Sequence, residues 1–177
     1  TVFVWAAAAG LSGAELPSEM DYATVLPLVD CLRAQAAPLF GITEPSDQPR
    51  VAFVAAPAAF TTTAGDVVAA DNMHLLSRIS TPGRIHHAYT GTGSIALACA
   101  SLAEGTVPWQ CLSEGARAVV GGGAPLRLGH PGGIMEVRAD VRHEDGVGWR
   151  PIGAGFERTA RYLMRGEVFV PTAERAP

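Results

Sequence analysis

The chain has 177 residues, 48% of them hydrophobic and only 17% charged, which suits one folded domain or one lobe of a larger protein and excludes a disordered chain. Its net charge is −4 and it has no basic run, which argues against a nucleic-acid partner. All 13 basic residues are arginine, so no lysine base, Schiff base or phosphate-loop lysine can come from it. Gly (20) and Pro (13) are plentiful, as in a fold of many turns and short strands.

Val2 to Ala6 reads as a buried strand already under way, and no initiator Met precedes it; the expectation is a piece cut from a longer chain. The apolar start lacks a basic flank and is shorter than the roughly 20 residues a bilayer span needs, so neither a signal peptide nor a membrane anchor is expected. Tyr22 to Phe40 carries Val25, Leu28, Val29, Leu32, Ala36 and Leu39 at helical spacing, with Asp21 or Ser18 as cap and Pro38 as its end. A loop over 41–50 leads to a strand from Val51 to Ala56. Phe60 to Asp66 is a threonine-rich loop. From Asp71 to Thr81, His74, Leu76, Arg78 and Ser80 alternate with Met73, Leu75 and Ile79, as in a strand. Pro82-Gly83 then turns into a second strand, Arg84 to Thr90.

Gly91 to Glu104 reads as a helix capped by Thr92 or Ser94 and closed by Gly105, with Ile95 to Ala103 apolar on every side. Such a helix is expected to be buried all round. Ala116–Gly121, Pro125–His130, Ile134–Val141 and Phe156–Pro171 read as strands, with His143 in a polar turn. The expected class is therefore α+β, a β-roll or β-barrel wrapped around one buried central helix, residues 1–177 forming a single domain.

The helix start Thr90-Gly91-Thr92-Gly93-Ser94 offers backbone N–H groups, a favourable dipole and three hydroxyls to an anion, and it serves equally as plain capping. His86 and His87 precede it; an extended backbone would turn one inwards, to donate a hydrogen bond or move a proton, or simply to meet a carbonyl. Arg84 can pair with a carboxylate or stay solvated. His130-Pro131-Gly132-Gly133 is either a second nest of N–H donors, with His130 beside it, or a simple β-turn. His74 and His143 are expected at the surface. Cys31, Cys99 and Cys111 are widely spaced among apolar residues. They read as free, buried thiols of a reducing, cytoplasmic compartment, with no metal-ligand pattern.

Three stretches carry a family resemblance. Arg84-Ile85-His86-His87-Ala88-Tyr89-Thr90-Gly91-Thr92-Gly93-Ser94, Gly129-His130-Pro131-Gly132-Gly133-Ile134-Met135-Glu136-Val137 and the closing run from Arg158 to Pro171 resemble, in order, segments of the 2-methylaconitate cis–trans isomerase and 4-oxalomesaconate tautomerase family. The resemblance implies the second lobe of a diaminopimelate-epimerase-like fold, in which two lobes face each other across an active-site cleft. It implies a cofactor-free 1,3-proton shift in an unsaturated polycarboxylate, this chain holding the carboxylates through His86, Thr90, Gly91, Thr92, Gly93, Ser94, His130, Gly132 and Gly133. The family's lysine and cysteine acid–base groups belong to the amino-terminal lobe, which leaves His86 as this chain's candidate. Where the family has lysine this chain has His87, and where it has serine, Gly132. Thr90 lies near the position of the epimerases' second catalytic cysteine, and threonine is far too weak an acid to replace a thiol. The partners implied are a polycarboxylate and an amino-terminal lobe. The alternative is a non-catalytic carboxylate-binding or self-associating module, the latter joining through the face the other lobe would cover.

Overall fold

The computed structural model describes residues 1–44, 46–158 and 160–169. Its centre is a curled sheet in the order β1 (Val2–Trp5), β2 (Val51–Ala55), β5 (Leu75–Thr81), β7 (Leu126–His130), β8 (Gly133–Glu144), β9 (Gly148–Phe156), with β6 (Arg84–Ile85) paired to β5. The pairs β1–β2 and β5–β7 are parallel and the rest antiparallel. A short hairpin, β3 (Phe60–Thr61) and β4 (Val67–Val68), stands apart from this sheet.

Helices cover both faces. On one face α1 (Tyr22–Ala36) packs Val25 and Val29 against Val51 and Phe53 of β2. On the other, α2 (Gly91–Leu102), α3 (Val107–Cys111) and α4 (Glu114–Gly121) bury Leu97, Ala98, Cys111 and Val120 with Ala52, Val54, Leu75, Ile79, Leu126 and Leu128. Strand β2 therefore sends alternate residues to two cores, which is why Val51-Ala52-Phe53-Val54 is continuously apolar. Leu76 packs with Phe60 and Met73 and Arg78 lies under the loop at Ala14 and Glu15, so Leu76, Arg78 and Ser80 on β5 are buried as fully as Leu75 and Ile79. No described helix is long and apolar enough to cross a membrane.

Asp21 caps α1, its carboxylate accepting from Ala23 N–H at 3.0 Å and Thr24 hydroxyl at 2.6 Å. The α-helix stops at Ala36, where Pro38 forces a short 3₁₀ turn closed by Gly41 at φ 68°. Several expectations are corrected. Helix α2 is not buried all round: Gly93, Ser94, Leu97, Ala98 and Ser101 are buried, while Ile95, Ala96, Cys99 and Ala100 are half-covered and Thr92 is exposed. It lies in the hollow of a curled sheet, and the described residues cover one flank only in part. Ala116–Gly121 belongs to α4 instead of a strand, because Ser113 accepts from Ala116 N–H and starts a helix that buries Val120 and leaves Val119 exposed. The Arg84–Thr90 strand ends at Ile85. Phe156 closes β9, a strand the Gly- and Pro-rich sequence conceals, and the described residues beyond it form no strand. Thr159, Val170 and Pro171 of the closing motif lie outside the described residues. Cys31 is exposed on α1, Cys99 half-buried and Cys111 buried, all three free, and burial pushes the Cys111 thiol up to about 12. His143 lies in β8, exposed and edge-on to Trp149, whereas His74 is half-buried with Nδ1 accepting from Arg127 N–H at 3.1 Å.

Gly93 sets how closely α2 approaches β5. A Cβ there would lie 2.5 Å from Ile79 Cδ1, and Ile79 is fully buried. Gly93→Ala is expected to destabilise the protein by roughly 1–3 kcal/mol, the usual range for overpacking. Urea unfolding measures this, and adding Ile79→Val should recover part of the loss.

Candidate functional site

The site grows from the end of β6. His86 N–H still pairs with Ile79 O at 2.8 Å, after which the chain leaves the sheet. The rings of His86 and His87 stack at 4.8 Å and 14° instead of pointing to opposite sides, because the backbone is no longer extended there. His87 is exposed and His86 half-buried. Ala88 N–H donates to His86 Nδ1 at 2.9 Å, so the ring proton sits on Nε2. Burial, then the neighbouring His87, Arg50 and Arg84, hold the His86 pKa below the usual histidine value. With Nδ1 occupied and Nε2 protonated, His86 is arranged to donate a hydrogen bond more readily than to accept a proton.

Tyr89 anchors the next step. It is buried, and its hydroxyl lies 2.9 Å from Ser77 Oγ, which itself donates to Phe53 O at 3.0 Å. Ser77's one proton is thus committed, and Tyr89 is the donor. Burial raises the phenol pKa well above its ordinary value. Thr90 follows as the helix cap: its Oγ1 accepts from Gly93 N–H at 3.2 Å and its carbonyl from Ser94 N–H at 2.9 Å. The cap is thus Thr90, ahead of the expected Thr92 or Ser94. Ser94 is fully buried and spends its hydroxyl on Gly91 O at 2.8 Å, so it faces away from any ligand. Gly93 is filled from outside by Ile79. Among the described residues the N–H groups of Gly91 and Thr92 have no protein acceptor. These two amides, with the exposed Thr92 hydroxyl, form the open part of the helix start.

The second wall is the turn between β7 and β8. Gly133 adopts φ 128°, which a side chain would strain. Gly132 N–H donates to His130 Nδ1 at 3.1 Å, again leaving the proton on Nε2. Pro131 O accepts from Thr63 N–H at 2.7 Å, so the threonine-rich loop props the turn. A Cβ on Gly132 would sit 3.6 Å from Ala88 Cβ, and the Tyr89 and His130 rings are 6.4 Å apart. The turn and the helix start therefore border one surface. His130 is 7% exposed; burial first, then Arg78 and His86, push its pKa down to about 4.

A third wall was visible in the sequence only as part of the closing motif. A Cβ on Gly91 would fall 2.6 Å from Phe156 Cζ and 3.6 Å from Arg158 Nη2, and the guanidinium lies 5.2 Å from the Phe156 ring centre. Arg158 thus stands beside the free amides of the helix start. The exposed Arg84 remains on β6. No cluster of three or more metal-ligating side chains occurs among the described residues. A hollow of about 530 Å³ lies on β8 and β9 and shares Phe156 with this wall, but Glu136, Asp140 and Glu157 outnumber Arg138 in its lining, which suits a polyanion poorly.

The profile of the PrpF protein family matches residues 1–171. The chain belongs to the PrpF family. It is 33% identical over 179 residues to the 2-methyl-aconitate isomerase of Shewanella oneidensis, covering 97% of this chain and 43% of that protein. Against the 3-methylitaconate isomerase of Eubacterium barkeri the identity is 28% over 183 residues, covering 98% and 46%. The crystal structure of a methylitaconate-delta-isomerase superposes with a TM-score of 0.72 at 26% identity, covering 88% of this chain and 43% of that one. The PrpF chain described here thus spans less than half the length of these relatives.

His130 has a consequence for stability. The unfolded chain takes up a proton near the ordinary histidine pKa, about 6.5, whereas the folded chain resists it until about 4. Above the first value the group is neutral in both states and contributes nothing. Between the two values the unfolded state binds more protons and stability falls, by up to roughly 3 kcal/mol once pH is below both. Urea midpoints between pH 7 and 4 should show this decline, and His130→Gln should flatten it.

Proposed function

We propose that this PrpF-family chain forms the carboxylate-holding half of a cofactor-independent isomerase that shifts a proton between allylic carbons of an unsaturated di- or tricarboxylate, of the 2-methylaconitate or 4-oxalomesaconate type. The observation that carries this reading is the pair of amides, Gly91 and Thr92, without an acceptor among the described residues, with Arg158 close to Gly91 and Gly132 of the β7–β8 turn close to Ala88. Removing an allylic proton pushes negative charge into the conjugated carboxylate. Donors already aimed at that oxygen bind the transition state more tightly than the ground state. Arg158 adds a cationic hydrogen bond, and His86 and His130 add neutral Nε2–H donors.

The described residues of the site offer donors and no carboxylate, thiol or lysine placed to exchange a carbon-bound proton. The reading therefore assigns the acid–base pair to a facing lobe, in a diaminopimelate-epimerase-like arrangement with the cleft between. The half-covered flank of α2 is consistent with such a neighbour. Relatives named as 2-methyl-aconitate and 3-methylitaconate isomerases support the substrate class.

The test uses the intact protein in D₂O with 2-methylaconitate, methylitaconate and 4-oxalomesaconate in turn. The expected result is interconversion of one substrate with deuterium entering the allylic carbon, read by NMR. A folded intact protein that exchanges none of the three would overturn the reading; if it still bound them, it would be a carboxylate-binding module. Arg158→Ala should lower kcat/KM roughly 10- to 100-fold, the effect of losing a charged hydrogen bond of about 1.5–3 kcal/mol.

A further inference from the structure

Arg78 is fully buried, yet its guanidinium meets no carboxylate among the described residues. Carbonyl oxygens hold it instead. Nε donates to Glu15 O at 2.7 Å, Nη2 to Ala14 O at 3.0 Å, and Nη1 to Ser77 O at 3.1 Å and Gly129 O at 3.4 Å. The Phe60 ring lies 5.3 Å from Cζ. The Glu15 carboxylate is engaged by the N–H groups of Ser12 and Gly13. Burial pushes the Arg78 pKa down to about 10, so the cation persists at neutral pH. Burying a charge with no ion partner is expensive, and a tether alone does not need a full positive charge.

Gly129 leads directly into His130, whose ring is nearly buried and whose Nδ1 is held by Gly132 N–H. Among the described residues His130 Nε2 has no hydrogen-bond partner, and the ring, 7% exposed, lies 6.4 Å from that of Tyr89, which leads into the start of α2. The groups facing the imidazole are Arg78 from β5, His86 from the segment after β6, and the Tyr89 ring before α2; none is an acid.

We propose that His130 is a hydrogen-bond donor of the carboxylate site, giving its Nε2–H to a substrate carboxylate oxygen, and that Arg78 is the positioning residue that holds the ring's strand through Gly129 O and sets a buried positive charge behind it. The proposal rests on the polycarboxylate reading above. It answers a specific difficulty. A polyanion bound beside a histidine draws a proton onto the ring. An imidazolium would then grip substrate and product alike and offer a stray acid to the carbanion. Burial first, and then the fixed cation of Arg78, oppose that protonation, and the Gly132 N–H on Nδ1 leaves one tautomer, with the proton on Nε2.

The test is a histidine NMR titration of the intact protein, without ligand and with tricarballylate as a non-reacting polycarboxylate probe. The His130 signal is assigned by its loss in His130→Gln. The expected result is a ring that stays neutral with its proton on Nε2 from pH 8 to 5, in both states, and an Nε2 resonance that moves when tricarballylate binds. Arg78→Met should raise the His130 proton affinity at least tenfold, while Arg78→Lys, which keeps the charge, should leave it low. An ordinary histidine titration in the wild type overturns the proposal even if Arg78→Met fails to fold. So does a folded Arg78→Met protein with unchanged His130 affinity, or tricarballylate binding that leaves His130 undisturbed. If isomerase activity is absent but the titration is as expected and the probe binds, the reaction assignment fails and the donor assignment stands.

Discussion

A guanidinium removed from water must have its donors satisfied, and where no carboxylate is at hand it can be held only by carbonyls from whichever chain segments come within reach. Arg78 on β5 collects such oxygens from the loop at Ala14 and Glu15, from its own strand at Ser77, and from β7 at Gly129. Those bonds lock the loop, β5 and β7 into one relative position. The next residue, Ile79, points to the opposite face of the sheet and receives Gly93, so it sets the depth of α2. Two successive residues of one central strand thus locate the two principal walls of the candidate site, the His130 turn on one side and the helix start on the other.

Elements specified by local rules were legible in the sequence. Asp21 announced α1, Pro38 its end, and the glycines after His130 the β7–β8 turn. Long-range effects were not. The alternation around β5 suggested a strand with two unlike faces, but the Ala14–Glu15 loop and Phe60 on one side and the helices on the other bury Arg78 as deeply as Leu75. Ala116–Gly121 holds two valines and reads as a strand, but the Ser113 cap and the short chain between α3 and β7 make it helical. β9 has too many glycines and a proline to announce itself, and its edge position is what tolerates them.

The candidate site was legible in part. Thr90, Gly91 and Thr92 border the same surface as His130 and Gly132, two segments far apart in sequence that the resemblance alone had linked. Gly93 and Ser94 turned out to serve packing and the first helical turn, a distinction no spacing rule makes, since a glycine approached by a side chain and one approached by a ligand look identical in sequence. Arg158 was quoted within a motif without a role; its place beside Gly91 depends on β9 returning alongside β8, and so on the sheet's curl. The chain as a whole is acidic, yet the candidate site gathers amides, imidazoles and an arginine, the arrangement the proposed polyanion would require.

The central claim is that the start of α2 holds a carboxylate. A crystal structure of the intact protein with tricarballylate tests it most directly. The account predicts carboxylate oxygens about 2.7–3.2 Å from the amides of both Gly91 and Thr92, the ordinary range for such bonds, with another carboxylate oxygen at His130 Nε2. Tricarballylate bound in the β8–β9 hollow, or anywhere else with those two amides left to water, would contradict it.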